Sequence, residues 1–117
     1  MAYDEQLTQN LREAIGKMVG GDTSGISEKR MMGGVCFMLN GNMVCGADRS
    51  KDGQRRYMFR TGKGNPAADA LPGGEPMVQG GRVMSGLYFV DAALSSDGLM
   101  QRWLAVALDH VRGLPAK

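Results

Sequence analysis

At 117 residues, with 43% hydrophobic and 22% charged side chains, the chain has the size and composition of a single domain, residues 1–117, that buries its own core. A net charge of +2, the lack of any apolar run near the roughly 18 residues of a membrane span, and only two cysteines point to a cytoplasmic protein with free thiols and no membrane attachment. The departures from average composition are 18 Gly and 10 Met, the glycines falling mostly in doublets that punctuate the chain.

Leu7, Leu11, Ile15 and Met18 recur at helical spacing behind Asp4, which predicts an amphipathic helix over 4–19 with Asp4 as N-cap, stopped at Gly20-Gly21. After a polar loop to Ser27, three strands are expected at about 28–33, 34–40 and 42–48, the last two joined by Asn40-Gly41. That pair between apolar runs is a strong hairpin signal, because both central residues of a type I′ turn need positive φ. A turn over 49–54 leads to a strand at 55–61. Asn65 as cap and Pro66 at the first helical position predict a short helix over 65–71, ended by Pro72-Gly73-Gly74. Val83–Val90 reads as another strand, with Met77-Val78 pairing to it across Gly80-Gly81. Asp97–Arg112 reads as the final helix, capped by Ser95 or Ser96, with Leu99, Trp103, Val106 and His110 on one stripe and Met100, Leu104, Leu108 and Val111 beside it. Tight turns too short for crossover helices make the class α+β, a two-layer antiparallel architecture.

With Asn40-Gly41 as a two-residue loop, Leu39 faces Asn42, Met38 faces Met43, Phe37 faces Val44, and Cys36 faces Cys45. One face of the hairpin is then all sulfur and the other carries Val35, Phe37, Leu39 and Val44. Neither is polar, so cover is expected on both sides: helices on one, and a loop, the short helix or a second copy of the chain on the other. A loop at Gly41-Asn42 instead sets Cys45 against Met38. The sulfur set admits three uses: core packing, which is favoured; a redox pair of Cys36 and Cys45; or a soft metal such as Cu(I). Zinc is not expected with two Cys and a distant His110, and no cofactor or resident metal is assigned.

Charge is uneven. Residues 1–28 hold two basic against five acidic side chains, and residues 29–82 hold nine against four. Within that basic middle, Arg55, Arg56, Arg60 and Lys63 are the candidate contacts for a protein partner or, as the alternative, for nucleic acid bound over residues 49–63. The interleaving in Arg55-Arg56-Tyr57-Met58-Phe59-Arg60 suits base stacking with phosphate contacts. It equally suits a strand that buries Tyr57 and Phe59 and exposes Arg56 and Arg60, and the strand reading is preferred. Gly62-Lys63-Gly64-Asn65-Pro66-Ala67 matches a dinucleotide fingerprint in letters only, since no long helix or parallel β-α-β unit surrounds it. At most a phosphate or sulfate would sit there, beside Lys63 and Arg60. No catalytic set assembles around His110, so no enzyme is expected.

Met1-Ala2-Tyr3-Asp4-Glu5, Glu28-Lys29-Arg30-Met31-Met32-Gly33-Gly34, Phe37-Met38-Leu39-Asn40-Gly41-Asn42-Met43, Arg60, Glu75-Pro76-Met77, Gly81-Arg82-Val83-Met84-Ser85-Gly86 and the final Val111–Lys117 resemble the TfoX/Sxy N-terminal domain family of bacterial proteins. The resemblance implies helix, three strands, helix, two strands, helix, similar to secretion-chaperone-like folds. It also implies a regulatory role without catalytic residues, the best-known members promoting competence transcription together with a cyclic-AMP receptor protein. The expected function is therefore that of a protein-binding regulatory module whose partner is not named by the sequence, with homodimerisation through the uncovered face.

Overall fold

A computed structural model describes residues 4–31, 34–50, 52–93 and 96–116. The expected end of the first strand at 32–33 and the alternative cap Ser95 lie outside them. The chain runs α1 (Glu5–Met18), β1 (Ile26–Met31), β2 (Gly34–Leu39), β3 (Asn42–Arg49), β4 (Arg55–Arg60), α2 (Pro66–Asp69), β5 (Gly74–Gln79), β6 (Arg82–Asp91) and α3 (Asp97–Arg112). Four strands precede α2, where the family resemblance implies three.

Each helix begins where its cap chemistry says. Asp4 accepts from the Leu7 amide at 3.1 Å, Asn65 from Ala67 at 3.0 Å and Ser96 from Leu99 at 3.1 Å, each satisfying an amide that the first turn leaves unpaired. The Asn40-Gly41 turn has φ of 52° and 84°, as a type I′ hairpin requires.

All six strands form one antiparallel sheet in the order β1-β2-β3-β4-β6-β5. β1 and β5 are its edges, β1 reading Ile-Ser-Glu-Lys-Arg-Met and β5 carrying Pro76. α1 and α3 lie together on one face over β3 and β4, with α2 against α3, so the architecture is two layers of the α+β class. No helix among the described residues is long and apolar enough to cross a membrane.

The core sits between the layers. α1 contributes Leu7, Leu11 and Ile15; α3 contributes Met100, Trp103, Leu104, Leu108 and Val111; the sheet contributes Val35, Phe37, Val44, Tyr57, Phe59 and Val90. Trp103 is its centre. The indole stacks on Phe59 at 6.1 Å and tilts against Tyr88 at 5.3 Å, and its N–H, which burial would otherwise strand, donates to the Pro72 carbonyl at 3.0 Å. Through that bond α3 also holds the Pro72 turn that leads into β5.

Trp103→Ala removes this filling and its ring contacts, and is expected to cost about 3–5 kcal/mol. Against the roughly 5–15 kcal/mol of a typical domain that is a large share. Urea denaturation of the variant should show a midpoint far below that of the wild type, whereas substitution at exposed Arg102 should leave the midpoint in place.

Candidate functional site

The face of the sheet turned away from α1 and α3 carries a second, smaller cluster. Its three buried residues, Cys36, Met58 and Met77, all bear sulfur, and Met38, Met43, Leu87 and Phe89 pack half-buried around them. The expected uncovered hairpin face is therefore partly closed from within the chain by residues of β4, β5 and β6.

The register across β2 and β3 differs from the expectation in one respect. Leu39 faces Asn42 and Met38 faces Met43 as a two-residue Asn40-Gly41 loop dictates, but the pairing then shifts, so that Phe37 faces Cys45, Cys36 faces Gly46 and Val35 faces Ala47. Val44 is the extra residue of a β-bulge. The physical reason lies in burial: Val44 and Cys45, consecutive in the chain, are both fully buried in the helix-side core, which strict alternation would forbid. The expected Cys36–Cys45 pair is thereby undone, because Cys45 lies with the helices and Cys36 with the methionines. Both thiols are free and buried. Burial raises both thiol pKa values, that of Cys45 well above the ordinary range, and the charge of Asp48 raises Cys36 further. Neither is a ready thiolate nucleophile at neutral pH.

In the row one step from the bulge, Cys36, Gly46, Met58 and Phe89 follow one another on adjacent strands β2, β3, β4 and β6. A Cβ on Gly46 would lie 3.3 Å from Cys36 Sγ and 3.4 Å from Met58 Cε, so glycine leaves a notch that these two side chains fill from either side. Beside it, Arg56 donates to Asp48 through Nε at 3.0 Å and Nη2 at 2.7 Å, and lies 3.9 Å from the Phe89 ring centroid. Bidentate pairing and cation–π stacking together fix that guanidinium.

The candidate cations do not form one patch. Arg55 and Arg56 are neighbours on a strand and point to opposite faces. Arg55 reaches the buried Asp4 carboxylate at 2.8 Å, which Arg49 also meets at 3.1 Å, so the two arginines clasp the N-terminus of α1 to β3 and β4. The Arg55 guanidinium, outweighing the opposing effect of burial, holds Asp4 down at a pKa of about 2, with the Leu7 amide and Arg49 adding to it. Arg60 is half-buried, and Lys63 is exposed in the turn after β4. Tyr57 and Phe59 are buried, as the strand reading expects.

A cleft of about 310 Å³ opens between α1 and β1, floored by Ile15, Ile26 and Phe37 and bridged by Arg12, which pairs with Glu28 at 2.6 Å and also bonds Gln9. That pairing lowers the Glu28 pKa. Among the described residues no group of three or more His, Cys, Asp or Glu side chains is placed to hold a metal ion. The four-residue α2 leaves the Gly62–Ala67 letters without the long helix a dinucleotide site needs. Comparison of the chain with family models, curated proteins and solved structures yields no match in any of the three.

Two outcomes follow. Mild oxidation of the folded protein should leave both cysteines titratable once it is denatured, since the thiols lie on opposite faces; a monomeric product that has lost both would contradict the register. The Asp4 carboxylate has its pKa depressed by folding from 3.8 to about 2. Its contribution, on the order of 2 kcal/mol, is present above pH about 4 and is lost as pH falls through about 2. Asp4→Asn keeps an N-cap acceptor but no charge, so its stability measured by denaturant titration should fall less steeply over that window.

Proposed function

We propose that the protein is a non-enzymatic regulatory module of the TfoX N-terminal type that acts in the cytoplasm by docking a protein partner through the tip of the β5–β6 hairpin. One observation carries the reading. The large hydrophobic side chains that stand exposed among the described residues are Val78 at 59%, Val83 at 62% and Met84 at 37%, and all three belong to this tip. Val78 and Val83 are direct cross-strand partners, so they present one continuous apolar pair just before the Gly80-Gly81 turn. Single exposed valines are ordinary on protein surfaces, but a cross-strand valine pair on one face of a hairpin tip, with Met84 exposed on its other face, suits contact with an apolar segment of another protein. The occupant is proposed to be protein rather than nucleic acid, because Arg49, Arg55 and Arg56 are already engaged by Asp4 and Asp48. Interleaved aromatics of β4 that would have to stack on bases are in the core.

The test is capture by tagged protein in extracts of the native host, compared between wild type and the double variant Val78→Asp/Val83→Asp. The tip variant should keep its unfolding midpoint and lose the captured partner, while Arg60→Ala/Lys63→Ala keeps it. Light scattering would identify a second copy as the occupant if a dimer of the wild type becomes monomeric in the tip variant. Binding of single-stranded DNA or RNA at physiological salt, with a slope against salt that flattens by about one unit per lost cation in Arg60→Ala/Lys63→Ala, would replace this reading with the nucleic-acid one.

A further inference from the structure

One row of residues runs unbroken across the whole sheet. Through the successive pairings, Lys29 on β1 lies opposite Cys36 on β2, followed by Gly46 on β3, Met58 on β4, Phe89 on β6 and Glu75 on β5. Directly paired residues share a face, so all six stand on the side away from the helices. Their neighbours agree: Glu28 meets Arg12 of α1, and Pro76 is paired with Tyr88, whose ring lies against Trp103 of α3. α1 and α3 pack on the other side and α2 on α3, so no described helix covers this row. The centre of the row is apolar, with Met38, Met43 and Leu87 half-buried beside it, and its two ends carry opposite charges on exposed side chains. Among the described residues neither Lys29 nor Glu75 has an ion-pair partner.

We propose that this face is a dimer interface, occupied by the same face of a second copy of the chain about a two-fold axis that runs close to the strand direction between β3 and β4. Such an axis reverses the strand order and keeps the row level, so β1 comes over β5 of the second copy, β2 over β6 and β3 over β4. Lys29 then meets Glu75 of the second copy at both ends, and the small Cys36 and Gly46 come under the large Phe89 and Met58. The next row on this face repeats the logic. Asp48 and Arg56 are cross-strand partners on the two central strands, so the rotation sets each over the opposite charge. Because they already hold one another at 2.7 Å, they enter an interface without leaving an unpaired charge. A two-fold axis along the row would instead set Lys29 over Lys29 and Glu75 over Glu75, so the charges select the first orientation. Packed sheets lie about 10 Å apart, a gap that lysine and glutamate side chains span together. Six strands about 4.8 Å apart and about six residues long make a face of about 25 by 20 Å before side-chain relief is counted, the order of size of a specific interface of roughly 800 Å² per partner. Flexible methionines suit such a surface. The inference is independent of the docking reading, since Val78 and Val83 follow and precede residues of this face and so point to the other one.

Sedimentation equilibrium of the full chain at micromolar concentration and low salt tests this through charge reversal. Wild type should be a dimer. Lys29→Glu alone and Glu75→Lys alone each set like charges against one another at both ends of the interface, and each should raise the dimer dissociation constant roughly tenfold or more. An equimolar mixture of the two variants should recover the wild-type constant as a heterodimer, because one copy then carries both negative ends and the other both positive ends. Both single variants should keep the wild-type unfolding midpoint, the two positions being exposed. Val78→Asp/Val83→Asp should remain dimeric. A monomeric wild type, single variants that dimerise as wild type does, a mixture no tighter than its components, or a dimer lost in the tip variant would each overturn the proposal. The first three of these results leave the docking of a partner at the tip untouched.

Discussion

One extra residue in β3 sets the chemistry of both faces of the sheet. Because Val44 is a bulge, it and Cys45 are buried side by side under α1 and α3, and every residue of β3 beyond them is displaced by one step relative to β2. Gly46 consequently comes to lie opposite Cys36, while the unbroken β3–β4 register sets Met58 on its other side and Arg56 opposite Asp48. Had the alternation continued without a break, Cys45 would be directed toward the methionines and the helix-side core would lose a fully buried side chain. The hydrophobic gain of filling that core is what makes a locally irregular ladder the favourable one.

The same sorting explains why a chain with a basic middle does not present a basic surface there. Strand alternation sends Arg55 to the helix side, where Asp4 meets it, and Arg56 to the other, where Asp48 does. The Asp4 interaction has two roles at once: its carboxylate caps α1 and anchors Arg49 and Arg55, so the first turn of the first helix is tied to the middle of the sheet. Arg56, lying on Phe89, carries a tie from β3 across β4 to β6.

Helix limits, caps and the Asn40-Gly41 turn were legible because each depends on residues adjacent in the chain: Asp4, Asn65 and Ser96 act on amides two or three positions away. Tyr57 and Phe59 were likewise legible as an inward-facing strand pattern. The register beyond Met38 was not, since a bulge is decided by what the helices leave to be filled, a contact between residues far apart in sequence. A signal did exist in Gly46, a glycine inside a strand, which often marks an irregular ladder or a close approach. The partners of Arg55 and Arg56 were equally out of reach, because charge counting along the chain says nothing of which carboxylates the fold delivers to them. The full length of β5 was only hinted at by Met77-Val78, Pro76 being a poor strand former.

The two outer strands have a consequence for assembly. β1 presents Glu28, Lys29 and Arg30 along one border, and β5 interrupts the other with a proline that has no amide hydrogen to offer. Charge on one border and a missing donor on the other both discourage another chain from extending the ladder. Whatever this protein associates with must therefore meet it at a face or at a tip, and the resulting particle has a defined end where an unguarded sheet could have grown into a fibre.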